Sequence, residues 1–214
     1  MDLIDRTLPL LGPAVGITLF LGISSFLIAS VVGLGVALAR LSGFRALRYL
    51  AVAYVSVVRG TPLLIQILLI YFGLPQLGVI IAPIPAAIAA LSLNGSAYLS
   101  ENFRAGVVAV PRGQREAAHS LSMSYPQAMR RVILPQAVRY ALPPVGSRFI
   151  AIMKDTSLAS VITVAELTRL ANQVGSATFR YIEMFMIAAF VYWLINATFS
   201  AGQEALERRL ARPY

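Results

Sequence analysis

The sequence predicts an all-α integral membrane bundle of about five transmembrane helices, forming a single domain over residues 1–214. Two observations carry this expectation. Apolar runs at 15–39 and 184–200 are long enough, or nearly so, to cross a hydrocarbon layer that needs about 20 apolar residues. Only 13% of the residues are charged and the mean hydropathy is +0.75, whereas a soluble domain spreads roughly a quarter of its residues as charges over its water-facing surface. The net charge of +9 would suit nucleic acid in a soluble protein. Here the excess of basic residues in cytoplasmic loops explains it, so lipid is the expected surrounding and no nucleic-acid partner is expected. The chain has no cysteine, which excludes disulfides and thiolate ligands, and its single histidine, His119, excludes any two-histidine metal site.

The spans can be placed in chain order. The opening Met1-Asp2-Leu3-Ile4-Asp5-Arg6 is acidic, and the apolar segment after it is too long for a signal-peptide core. Residues 1–11 therefore read as a short lead-in, not a removable address. The first span covers 13–39, with small residues at Gly12, Gly16, Gly22, Ser25, Gly33 and Gly35 that let helix backbones approach closely. It ends at Arg40, with Arg45 and Arg48 close behind. Segment 44–58 reads as a helix near the cytoplasmic interface, broken at Arg59-Gly60-Thr61-Pro62, where proline removes a donor and disfavours helix before it. The second span is then 62–77. One kinked span over 49–72 would instead bury Arg59 near mid-membrane, at a cost of at least about 2.5–3.5 kcal/mol.

Pro75, Gly78, Pro83 and Pro85 make 74–85 a short external turn. The third span, 85–108, begins apolar and acquires Asn94, Glu101, Asn102 and Arg104. Segment 110–139 is the one long polar stretch, with Arg112, Arg115, Arg130, Arg131 and Arg139 against a lone acid, Glu116. A fourth span at 140–158 is interrupted near its start by Pro143-Pro144 and bears Arg148, Lys154 and Asp155. Segment 159–181 is mixed and external. The fifth span is 182–200, and the tail carries Arg208, Arg209 and Arg212. With the N-terminus outside, five crossings put 40–48, 110–139 and the C-terminus in the cytoplasm, as the distribution of basic residues requires.

Within the polar stretch the sequence reads Gly113-Gln114-Arg115-Glu116-Ala117-Ala118-His119-Ser120-Leu121-Ser122-Met123-Ser124, continuing to Arg130-Arg131-Val132-Ile133-Leu134-Pro135-Gln136. Glu116-Ala117-Ala118 is a strong helix-forming start, and Pro126 and Pro135 punctuate the remainder of the stretch. On the residues alone, this is either a docking knob or a solvated loop whose arginines set topology. The text resembles the EAA loop of the inner-membrane permease subunits of ABC importers. Arg59-Gly60-Thr61-Pro62-Leu63-Leu64, Ile133-Leu134-Pro135-Gln136-Ala137 and Lys154-Asp155-Thr156-Ser157-Leu158 narrow the resemblance to the polar amino acid branch, over nearly the whole chain.

The resemblance implies a type I ABC importer permease fold in the bacterial cytoplasmic (inner) membrane. It implies two ATP-binding cassette subunits as partners, a second permease copy or homologue, and a periplasmic or other extracytoplasmic solute-binding protein. ATPase coupling would rest on Gly113, Gln114, Glu116, Ala117, Ala118, His119, Ser120 and Ser122. One departure stands out: Ser122 occupies a position where the family has glycine, so serine must adopt the same backbone or alter the loop. His119 either bonds to the partner or sits in solvent.

Energy must come from elsewhere. A phosphate-binding loop needs Gly-Lys and then Ser or Thr, and the only lysine, Lys154, lies between Met153 and Asp155. The chain is therefore expected to bind no cofactor and to be no enzyme, with ATP and Mg held by the partner subunit. No His-Glu-x-x-His motif or nucleophile–base pair points to catalysis.

Asn94, Tyr98 and Glu101 share roughly one helix face at i, i+4 and i+7. With Lys154, Asp155 and Thr156 they form a candidate substrate pathway, because a zwitterionic amino acid needs acceptors for its ammonium and donors for its carboxylate. Alternatively Lys154 and Asp155 pair structurally and Glu101 pairs with Arg104. A secondary transporter or channel for small polar solutes is the rival function, and would be expected to show paired repeats of broken helices.

Overall fold

A computed structural model describes residues 3–210; residues 1–2 and 211–214, Arg212 among them, lie outside the described residues. Every regular element among the described residues is helical. Helix α1 spans Leu3–Leu41. The expected lead-in is thus helical from Leu3, and Pro9 and Pro13 lie inside the helix. Leaving the helix in apolar surroundings would strand more backbone groups than each proline ring removes.

Helix α2, Arg45–Gly60, and α3, Leu63–Leu68, are separated at Thr61-Pro62. The chain continues from α3 through a π turn, Leu69–Gly73, and a 3-10 turn, Leu74–Leu77, and its course bends by 104° at the break between the two arms. The break falls where the proline sits, as expected. Gln66 stabilises it: its Nε2 donates to the carbonyl of Val58 at 2.8 Å, to the carbonyl of Thr61 at 3.2 Å and to Thr61 Oγ1 at 2.8 Å. Carbonyls freed by the proline would otherwise cost about 1–3 kcal/mol each if buried unpaired.

Helix α4 covers Pro83–Ala109, α5 Arg112–Ser120 and α6 Tyr125–Ala128, and a π turn at Met129–Ile133 leads directly into α7, Leu134–Asp155. The expected interruption at Pro143-Pro144 is absent, since both prolines lie inside α7. Amides from neighbouring helices brace the pair: Asn102 Nδ2 donates to the Pro144 carbonyl at 2.9 Å and Gln203 Nε2 to the Pro143 carbonyl at 3.1 Å. The expected mixed segment at 159–181 is ordered as a 3-10 turn, Thr156–Ile162, and helix α8, Leu167–Thr178. Glu166 caps α8, accepting from the backbone amides of Thr168 and Arg169 at 2.8 and 2.7 Å. Helix α9 is Tyr181–Leu210.

Contacts fix the relative directions. Along α1 and α4, Ser25 meets Ser92, Ala29 meets Gly95, and Arg40 meets Glu101, so these helices run parallel. Along α4 and α7, Gly106 meets Ala137 while Gly95 meets Ile152, so they run antiparallel. Gly146 against Gln203 and Thr156 against Tyr192 make α9 antiparallel to α7. The α3 arm climbs from Gln66 beside Asn94 to Ile67, Ile70 and Tyr71 packed with Ala86, Ala87 and Ala90, antiparallel to α4. Successive spans therefore alternate in direction.

By length and apolarity alone, Leu8–Leu41 and Tyr181–Arg209 can cross a membrane, and the bent pair can make a third. Helices α4 and α7 have the length, 27 and 22 residues. They are less apolar because they occupy the middle of the bundle, where α4 buries Ser92, Asn94, Ser96 and Ser100 away from lipid. Of the small residues of α1, Gly33 lies against the Ser96 backbone and Gly22 against Met153, while Gly12, Gly16 and Gly35 face open space.

Candidate functional site: a loop helix and an intramembrane polar cluster

The loop residues singled out by the sequence come together on and just after α5. Helix α5 begins directly after Val110-Pro111, and only Ala118 of its residues is buried. Glu116, Ala117, His119 and Ser120 are exposed, as are Gly113 and Gln114. Ser122 adopts φ +55°, the left-handed conformation that glycine takes most readily. Its amide donates to the His119 carbonyl at 2.9 Å and the Met123 amide to the Ala118 carbonyl at 3.1 Å, the hydrogen-bond pattern of a Schellman helix end. Serine thus keeps the turn instead of altering the loop. Next, Ser124 and Gln127 form a capping box that starts α6, with the Ser124 amide 3.0 Å from Gln127 Oε1. The S-x-x-Q spacing was present in the sequence as a signal for this.

Two contacts tie α5 to the bundle. Arg115 donates to the Val107 carbonyl at 2.8 Å, on α4, and Gln136 Nε2 donates to Gln114 Oε1 at 3.2 Å, from α7. His119 lines a small cavity with Arg115, Met123, Tyr125 and Met129.

The candidate pathway residues separate into three groups. Asn94 is buried, with its Nδ2 donating to Gln66 Oε1 at 3.2 Å and its Oδ1 accepting from Arg148 at 2.8 Å. Two guanidiniums lie against the Tyr98 ring: Arg148 Cζ is 4.4 Å and Arg59 Cζ 4.9 Å from its centroid. Asp155 pairs with Arg148 at 3.5 Å, so Asn94, Tyr98 and Asp155 belong to one cluster with Arg59, Gln66 and Arg148.

Glu101 is elsewhere, ion-paired to both Arg40 and Arg104. That arrangement is the structural alternative for Glu101, extended by α1. Thr156 is buried on another side, donating to the Met153 carbonyl at 2.7 Å and lying 3.4 Å from the Tyr192 hydroxyl, which donates to Glu166 at 2.7 Å. Lys154 is exposed. Arg59, Gln66 and Arg148 were missed as site residues. Arg59 and Arg148 were visible as charges in or beside apolar runs, a signal that marks function by default.

Comparison with known proteins converges on one family. Residues 29–212 match the family described as binding-protein-dependent transport system inner membrane component. The chain is 44% identical over 213 residues to the L-cystine transport system permease protein TcyB of Bacillus subtilis (strain 168), covering 99% of this chain and 91% of that protein. It is 38% identical over 204 residues to the arginine transport system permease protein ArtQ of the same organism, covering 95% of this chain and 93% of the relative. A crystal structure of an amino acid ABC transporter with histidines superposes with a TM-score of 0.93 at 42% identity, covering 98% of this chain and 99% of that one.

Proposed function

The chain belongs to the inner membrane components of binding-protein-dependent transport systems and is a pore subunit of an ABC importer, and on that premise we propose that it imports polar amino acids by coupling through α5 to a separate ATPase. The observation that carries the coupling is a nine-residue helix that exposes all but one of its side chains, yet is tied to the two central helices. Helix α5 reaches α4 through Arg115 and α7 through Gln114, and those helices bear Asn94, Tyr98 and Arg148. A force on α5 is thereby passed to the polar cluster.

In this reading two ATP-binding cassette subunits engage Gly113, Gln114, Glu116 and the residues through Ser122. A second permease copy or homologue closes the pathway about a two-fold axis, and an external solute-binding protein delivers the amino acid. The N-terminus lies outside, and α5 and the C-terminus lie in the cytoplasm, the side favoured by Arg112, Arg115, Arg130 and Arg131. ATP and Mg stay in the partner: ATP binding draws the two α5 helices together and turns the pathway, and hydrolysis resets it.

Reconstitution tests this against the secondary-transporter reading. In liposomes the chain alone is expected to take up no amino acid under any ion gradient. Adding its ATPase, a binding protein and ATP is expected to restore uptake. Gradient-driven uptake by the chain alone would refute the importer reading.

A further inference from the structure

The polar cluster carries an excess of positive charge. Arg148 is 13% exposed, and its nearest carboxylate is Asp155 at 3.5 Å. One of its amino groups donates to Asn94, and its Nε is buried without a hydrogen-bond partner. Arg59, over the same Tyr98 ring, makes no ion pair among the described residues. The acid on the same helix as Tyr98, Glu101, is already shared by Arg40 and Arg104. Two guanidiniums therefore lie at Tyr98, with one carboxylate, Asp155, beside Arg148. A ring face attracts cations but supplies no full negative charge. Cations kept inside a membrane protein normally pair with one another's counter-charges or mark a pathway.

We propose that Arg59, Tyr98 and Arg148 form a carboxylate-binding subsite that favours amino acids of zero or negative net charge and rejects those with a cationic side chain. The inference rests on the importer reading above and deepens it. A guanidinium binds a carboxylate through paired N–H donors, so the exposed and unpaired Arg59 is suited to the solute's carboxylate, with Arg148 adding positive charge beside it. Asp155, with a side chain 31% exposed, is left to meet the α-ammonium. A second positive charge on the solute would face two arginines with no acid to spare, and discrimination arises from that repulsion as much as from the attraction.

Equilibrium binding to the purified permease–ATPase complex, without the binding protein, isolates this selectivity. Radiolabelled L-cystine, L-glutamine, L-glutamate and L-arginine serve as probes. The unaltered complex is expected to bind at least one of the first three about tenfold or more tighter than L-arginine. Arg59→Gln and Arg148→Gln, made separately, are each expected to remove most of that preference, while Arg148→Lys keeps it.

Arg148→Gln can misfold by leaving Asp155 unpaired. Arg59→Gln removes an exposed, unpaired charge and keeps the test decisive. Equal binding of L-arginine, no binding of any probe, or an unchanged preference in Arg59→Gln would overturn the subsite. Uptake of the same amino acids by the complete importer in liposomes is measured in parallel. Uptake without charge preference in the binding assay defeats the subsite alone, whereas absence of ATP-driven uptake of every amino acid defeats the amino-acid reading beneath it.

Discussion

Ser122 shows how a single backbone angle can matter to a loop that we propose transmits force. At φ +55°, an L-residue costs about 1 kcal/mol or more relative to glycine, because its Cβ crowds the neighbouring backbone. Ser122→Gly is therefore expected to stabilise the end of α5 by about 1 kcal/mol without loss of uptake. Slower amide exchange at Ser122 and Met123, the donors of the two closing hydrogen bonds, would report it. The resemblance made this position visible, since the family's glycine six residues after Glu116 leaves serine only the left-handed conformation or a different loop. Glu101 was only half legible. Its spacing from Arg104 gave one partner, but Arg40 comes from a helix about sixty residues away in the chain, and no local pattern encodes that contact.

Among the elements, the seam between α4 and α7 depends on the absence of a side chain at Gly106. A Cβ there would stand 2.7 Å from both the Ala137 carbonyl and the Ala141 methyl. Gly106→Leu must push the helices apart, and overpacking of this kind costs typically about 1–3 kcal/mol. The expected result is a thermal midpoint several degrees lower in detergent, with Gly35→Ala, which meets open space, as the unaffected control. The order of the spans and the break at Pro62 were readable from apolar runs and prolines, but α1 and α9 extend well beyond the expected 13–39 and 182–200. The continuous course of α7 through Pro143-Pro144 was not, because the amides that brace it, Asn102 and Gln203, reach across from α4 and α9. Helix α8 was missed for a similar reason: its cap is a carboxylate buried against Tyr192, so the segment looked merely mixed in composition.

For the whole molecule, charge carried most of the information. The scarcity of charged residues identified the solvent as lipid, and their placement predicted alternate directions, which the contacts between α1, α4, α7 and α9 reproduce. What composition did not reveal was how the intramembrane charges divide among themselves. Glu101 is engaged by Arg40 and Arg104, and Asp155 is the one carboxylate beside Arg148, which leaves the cluster around Tyr98 positive. The chain also contains no phosphate-binding loop, and in the proposed reading its motion is imposed through the exposed surface of α5.

The ratio of amino acid imported to ATP hydrolysed tests that last requirement most directly. In the complete importer reconstituted in liposomes, Glu116→Lys reverses a charge on the exposed face of α5 while leaving Ala118, Ser122 and the polar cluster untouched. Uptake per ATP is expected to fall by about tenfold or more, as charge reversal at a docking contact costs several kcal/mol. An unchanged ratio would mean that α5 is not where the ATPase drives the pore.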